Sequence, residues 1–234
     1  MRQSLKLMLA LVPLMLISGL AAQAQAPAAP PPLATTDPTM YVVRYIEVAP
    51  AAQEKSIGLL KQLADASRKA GALRFEVLQR TAPAGHFATF EVWKDQAALD
   101  AHAAAAHKQF LDAVQPLLIA PVDDRPCVGF DVAPAQSATG AIYGITHVDV
   151  APPNREAGIA LIKAVAGPHR KASGNEGFYG LQQTARTNHF EVVDVWKDQQ
   201  ADDAHEIDAA TKDYRAKVQP LLGAHYDRRW YRQL

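Results

Sequence analysis

The sequence predicts an α+β fold built from two tandem βαββαβ units that cover each other as a pseudo-dimeric α/β barrel. Three observations carry that expectation: an internal repeat, one order of strand and helix patterns in both copies, and apolar sheet faces that a single copy would leave bare. The repeat is plain in the residues. Trp93-Lys94-Asp95-Gln96 recurs 103 residues on as Trp196-Lys197-Asp198-Gln199, and the same shift maps His86-Phe87 onto His189-Phe190 and Ala101-His102 onto Ala204-His205. Upstream the shift is 102, pairing Ala49-Pro50 with Ala151-Pro152; downstream it is 104, pairing Val114-Gln115-Pro116-Leu117-Leu118 with Val218-Gln219-Pro220-Leu221-Leu222. Ordered matches whose offset changes by single residues mark a duplicated structural unit.

Each element follows from its pattern. Residues 41–48 alternate and carry β-formers, a strand that Pro50 ends. Ile57, Leu60, Leu63 and Ala64 then share a helical face, and Gly71 stands where a C-cap is expected. Ile159, Ile162, Val165 and Ala166 repeat that face, with Gly174 as the stop; the extra residue of this copy is expected near Gly167-Pro168, with a late kink. Residues 73–80 and 87–93 read as strands joined by the turn Ala82-Pro83-Ala84-Gly85. Asp95 is the expected N-cap of a second helix with the stripe Leu99, Ala103, Ala106 and Phe110. Pro116 breaks it, and residues 127–132 supply the last strand. This order is the split βαβ, or ferredoxin-like, unit, with both helices on one face of an antiparallel sheet. Two units in one chain can cover each other's open faces.

The expected organisation is a leader (1–24), an Ala/Pro-rich tether (25–39), the first unit (40–132), a linker (133–141) and the second unit (142–234). Arg2 and Lys6 precede an apolar run from Leu7 to Leu20, and Ala22-Gln23-Ala24 has the small-x-small form of a cleavage site. That pattern predicts a cleaved secretory signal and a periplasmic or secreted protein with no stable membrane anchor. The 24 basic and 24 acidic residues cancel, leaving no long-range attraction for a polyphosphate, which argues against nucleic acid as a partner. The single Cys127 excludes an intrachain disulfide or a Cys-rich metal cluster, and is expected to be buried. No Gly-rich phosphate loop or nucleophile elbow follows a strand, which argues against nucleotide-dependent chemistry and acyl-enzyme hydrolysis.

A strand ending in Phe90-Glu91-Val92-Trp93, followed by a helix carrying Ala97, His102 and His107, resembles the antibiotic biosynthesis monooxygenase domain. The pattern reads Glu91-x-Trp93-x8-His102-x4-His107 in the first copy and Asp194-x-Trp196-x8-His205 in the second, where Ala210 replaces the second histidine. The resemblance implies a dimeric α/β barrel and, as one activity among several in such families, an oxygenase needing no organic cofactor. Its expected partners are a small electron-rich aromatic and molecular oxygen. A further dimer of the fused pair is compatible with the sequence, though no feature demands it.

Candidate catalytic residues are His102 as a base, Trp93 as a stacking wall and His107 to orient a guest; Tyr45, His147, Trp196 and His205 are candidates for substrate contact. A histidine at the border of a buried stripe can titrate near neutral pH and take a proton from a phenol or quinol. Five residues apart, His102 and His107 should lie about 140° apart on an α-helix, flanking the stripe, so no metal site is expected from this helix. Tyr45 and His147 share a strand face with Tyr41, Val43, Tyr143 and Ile145; alternation alone leaves open whether that face meets the helices or the other sheet. Arg44 takes the opposite face, with Thr146 as its counterpart. The unequal copies suggest one working pocket, the first, and one scaffold. The alternatives are a non-catalytic ligand-binding or stress-related barrel and, third, a haem-degrading enzyme.

Overall fold

The structure, a computed structural model, describes residues 32–135 and 140–234. The expected leader, the first part of the tether and the middle of the linker lie outside the described residues. The first copy runs β1 (Met40–Glu47), α1 (Gln53–Lys69), β2 (Arg74–Arg80), β3 (His86–Trp93), α2 (Gln96–His102), a π-turn (Ala103–His107), α3 (Lys108–Val114) and β4 (Asp123–Ala133). The second runs β5 (Ile142–Asp149), α4 (Arg155–Lys171), β6 (Asn175–Gln183), β7 (His189–Trp196), α5 (Gln199–Glu206), α6 (Ala209–Val218) and β8 (Asp227–Gln233). Asp95 caps α2 as expected, accepting from the Ala98 N–H at 2.8 Å, and Asp198 does the same for α5.

The eight strands form one closed barrel in the order β1-β3-β2-β8-β5-β7-β6-β4. The two sheets are joined edge to edge: β4, paired with β1 of its own unit, also pairs with β6, and β8, paired with β5, also pairs with β2. Closure removes the unpaired edges that each unit alone would carry. Alternation then assigns the faces. Tyr41, Val43, Tyr45, Phe90, Tyr143, Ile145, Tyr179 and Val193 fill the interior, while Val42, Ile46, Phe75, Phe87 and Trp93 face α1 to α3 with Leu60, Leu63 and Phe110. Cys127 is buried inside the barrel. A fully buried leucine such as Leu60 carries about 2–5 kcal/mol of this packing, measured as a Leu→Ala truncation.

Three local expectations are corrected. The last strand of the first copy begins at Asp123, four residues before the expected start at Cys127, because β1 pairs along residues 123–126 despite their charges and Pro126. Helices α1 and α4 are the same length, 17 residues, and α4 runs through Pro168 to Lys171; the extra residue lies beyond it, before Gly174 (φ +83°). The end of the tether is docked: the Ala34 N–H donates to Gln182 Oε1 at 2.7 Å, and Ala34 packs on the second copy's core. Gly85 closes the β2–β3 turn at φ +81°, where a Cβ would meet the Val48 carbonyl, so only glycine suits both demands. Among the described residues, no helix is long and apolar enough to cross a membrane.

Candidate active site in the helix–sheet layers

The first copy buries a charged group between sheet and helices. Arg44 on β1, Thr89, Glu91 and Trp93 on β3, and Asp124 on β4 meet His102 and His107. Arg44 is enclosed, and its guanidinium pairs with both Glu91 and Asp124. Glu91 also accepts from Thr89 Oγ1 at 2.9 Å and from Trp93 Nε1 at 3.0 Å. A buried carboxylate stays charged only with such partners, and here they also fix its direction.

The π-turn decides where the histidines point. Its i→i+5 bonding brings residues five apart onto one side of the helix. His102 and His107 therefore do not flank the stripe, as α-geometry implies; both are buried, with rings nearly parallel (9°) and centroids 6.0 Å apart. Arg44 Nη2 lies 3.4 Å from His107 Nδ1, and because a guanidinium only donates, that nitrogen must accept. Burial first, and the Arg44 charge second, hold His107 down to about 4. Burial also lowers His102, with Arg44 adding and Glu91 opposing. Both imidazoles are consequently neutral at pH 7. His102 has no hydrogen-bond partner on either nitrogen; it stacks on Trp93 at 4.5 Å, and its Nε2 lies 3.9 Å from Glu91. A cavity of about 370 Å³, lined by Ala70, Lys94, Ala98, Ala101, Ala105 and His102, lies against this turn.

The second copy builds a related group differently. Thr146 stands at the Arg44 position and Arg228 at the Asp124 position, so the guanidinium comes from the neighbouring strand of the same pair. Gly144 makes this fit, since a Cβ there would run into the Arg228 guanidinium. Arg228 pairs with Asp194 (3.3 Å), with Asp202 and with Glu206 (2.8 Å). Asp202 replaces Leu99 of the first copy and is buried, compensated by that arginine. His205 stacks on Trp196 at 4.5 Å, as His102 does on Trp93. The buried counterpart of His107 is Thr211 and not Ala210, because one residue is added between α5 and α6; Thr211 Oγ1 lies 3.1 Å from His205 Nδ1. His169 of α4 joins them, its Nδ1 at 3.0 Å from Asp194 Oδ1.

The sequence candidates thus separate into two places. Trp93, His102 and His107 come together in one layer, Trp196 and His205 in the other. Tyr45 and His147 do not line either layer: they face the barrel interior, where the Tyr45 hydroxyl (3.2 Å) and His147 Nδ1 (2.9 Å) meet Glu191. Arg125 Nη1 (2.8 Å) and Gln183 Nε2 (2.9 Å) complete the partners of that carboxylate. Sequence reasoning gave no role to Arg44, Asp124, His169 or Arg228. One signal was available: Arg44/Thr146 and Asp124/Arg228 are complementary mismatches between the copies, at positions that pair across strands.

An eight-stranded barrel closed by two fused βαββαβ units, each with a Trp–His stack under its helices, defines a fused member of the dimeric α/β-barrel class. The antibiotic biosynthesis monooxygenase family pattern matches residues 39–115 and again 141–217, and the chain belongs to that family. No curated protein sequence matches it. Solved structures of the same fold include a candidate monooxygenase of Fusobacterium nucleatum (TM-score 0.74, 16% identity, 86% of this chain and 94% of that one). Another is a candidate monooxygenase of Lactobacillus acidophilus (0.68, 14%, covering 83% and 93%). An anthrone oxidase-like protein is similar at 0.69 and 13% identity, covering 85% of this chain and 92% of that one.

Proposed function

We propose that the first helix–sheet layer oxygenates a small, electron-rich aromatic such as a quinol, with no organic cofactor, in a protein exported by its leader. The observation that carries this reading is His102: a buried, neutral imidazole with both nitrogens free of hydrogen bonds, beside a cavity of about 370 Å³. A base needs a free lone pair and a nearby acidic proton; the His102 ring is closed to solvent, so a phenolic O–H entering that cavity would supply the proton once the π-turn moves aside. Proton removal makes an electron-rich phenolate able to react with oxygen. In the balanced reaction a quinol and O2 give a hydroxyquinone and water: one oxygen atom joins the ring, the other leaves as water, and the ring supplies all four electrons. Trp93 holds the His102 ring by stacking, and Arg44 orients His107 beside it. Trp196 and His205 would offer the equivalent, altered place in the second copy. Tyr45 and His147 would touch a guest in neither layer.

Oxygen uptake on a panel of quinols tests the reading. Wild type should consume oxygen with a matched hydroxyquinone product, and His102→Ala should lose at least about 100-fold of the rate, the usual contribution of a general base. A second reading, a ligand-binding scaffold without catalysis, is favoured by the full burial of Trp93 and His102. It would prevail if both proteins left oxygen untouched while an aromatic ligand still quenched tryptophan fluorescence.

A further inference from the structure

The second helix–sheet layer differs from the first in three ways that converge on one point. His169 on α4 stands where α1 has Ser67, adding an imidazole. Asp194 stands where β3 has Glu91, one methylene shorter. In the first copy Trp93 Nε1 donates to Glu91 at 3.0 Å; in the second the buried Trp196 Nε1 has no partner. An enclosed N–H without an acceptor costs on the order of 1–3 kcal/mol. The ring that carries it stacks on His205 at 4.5 Å, within the same cluster.

We propose that His169, Asp194 and His205 form a binding site for one divalent first-row transition-metal ion. The three side chains are buried, and their ligand atoms lie within 4.8 Å of one another, so an inward movement of about 1 Å by the widest pair would close a coordination sphere with bonds of roughly 2.1 Å. Ligands at that bond length and at right angles are about 3.0 Å apart, and His169 Nδ1 and Asp194 Oδ1 are separated by 3.0 Å. Thr211 Oγ1 can accept from His205 Nδ1 (3.1 Å) and from His169 Nε2 (3.4 Å). That arrangement leaves His169 Nδ1 and His205 Nε2 with lone pairs to offer, the outer-shell device by which proteins fix metal-binding imidazoles. A bare His169 nitrogen facing a carboxylate oxygen needs a positive centre between them, either a proton or a metal ion.

The surrounding charge agrees. Among the described residues, Asp194, Asp202 and Glu206 share two arginines, Arg228 and Arg215, and Asp208 lies 3.6 Å from His205 Nδ1. Two imidazoles and one carboxylate suit Fe2+ or Zn2+ better than Mg2+ or Ca2+, which prefer oxygen. An ion-bound water would give Trp196 Nε1 its acceptor. In the first layer Ser67 stands at the His169 position, and the Trp93 N–H already has Glu91 as its acceptor. A second group, His147, Asp149 and His189, is less suited, because it is only partly enclosed and His147 is already engaged by Glu191.

The test uses the full chain, stripped with a chelator and titrated with Co2+ and Zn2+. The expected result is one ion per chain, with visible Co2+ absorption and a rise in melting temperature on adding Zn2+. His169→Ser, which installs the first copy's residue, should weaken Zn2+ binding by more than about 100-fold, beyond what loss of an outer-shell partner costs. Asp194→Asn should do the same, as a second variant should the first fold poorly, while His189→Ala should bind as wild type does. No stoichiometric binding, or binding lost in His189→Ala but kept in His169→Ser, would overturn the proposal. Neither readout depends on oxygenase activity.

Discussion

The two helix–sheet layers solve one problem with different residues. Each must bury a carboxylate at the same place on its third strand, Glu91 or Asp194, beneath a tryptophan stacked on a histidine. Each answers with a guanidinium, but from different strands: Arg44 comes from the first strand of its unit and Arg228 from the last. Because Arg44 pairs in register with Asp124, and Thr146 with Arg228, the exchange moves a charge by one strand spacing without moving its destination. The geometry of the layer is therefore fixed by its charge balance more than by the identity of any one position. What differs is what remains free. The first layer leaves an imidazole without partners, and the second leaves an indole N–H.

The comparison can be broken most forcefully at its arginines. Arg228→Met should cost about 3–5 kcal/mol in denaturant unfolding, because it strands Asp194 and Asp202 as buried unpaired charges. Adding Thr146→Arg to that variant should restore part of the loss by rebuilding the first copy's arrangement; no recovery would mean that the two routes are not equivalent. Next in size is a pH effect. Burial keeps His107 and His205 at about 4, well below the ordinary value of 6.5, so the unfolded chain binds more protons between those limits. Stability should thus fall as pH drops from about 6.5 toward 4, by on the order of 2–3 kcal/mol per histidine. His107→Thr, the second copy's residue, should remove the first copy's share and flatten the curve.

A finer test separates the tryptophans. Trp93→Phe loses a hydrogen bond to a charged carboxylate and Trp196→Phe loses none, so Trp93→Phe should be the more destabilising by about 1.5–3 kcal/mol. Equal costs would show that the indole N–H bond contributes little. Smallest are the caps, where the copies should agree: Asp95→Ala and Asp198→Ala remove equivalent bonds of 2.8 Å and should each cost about 1 kcal/mol.

The repeat, the strand and helix order and the covering of bare faces were readable because each rests on local pattern: alternation in β1, the 3.6-residue stripe through Leu60 and Leu63, and a cap at Asp95. The site was half readable. Trp93, His102 and His107 stand out by residue type, but their mutual arrangement depends on the π-turn, and the alanine run at Ala103–Ala106 carries no signal of it. Asp124 was hidden because a charged stretch with Pro126 does not look like a strand, and only pairing with β1 makes it one. His169 follows a helix-breaking pair, and nothing local ties it to Asp194, 25 residues on and in another element.

The edge pairings β4–β6 and β8–β2 have a consequence for how this polypeptide can be divided. A fragment ending after β4 would keep β4 paired with β1 but lose its other neighbour, β6, and its β2 would lose β8. Cleavage of the segment joining β4 to β5 should therefore yield two pieces that stay bound and re-form the barrel on mixing. The connection supplies proximity, and the edge pairings supply the adhesion. Such a pair is a natural reporter by fragment complementation.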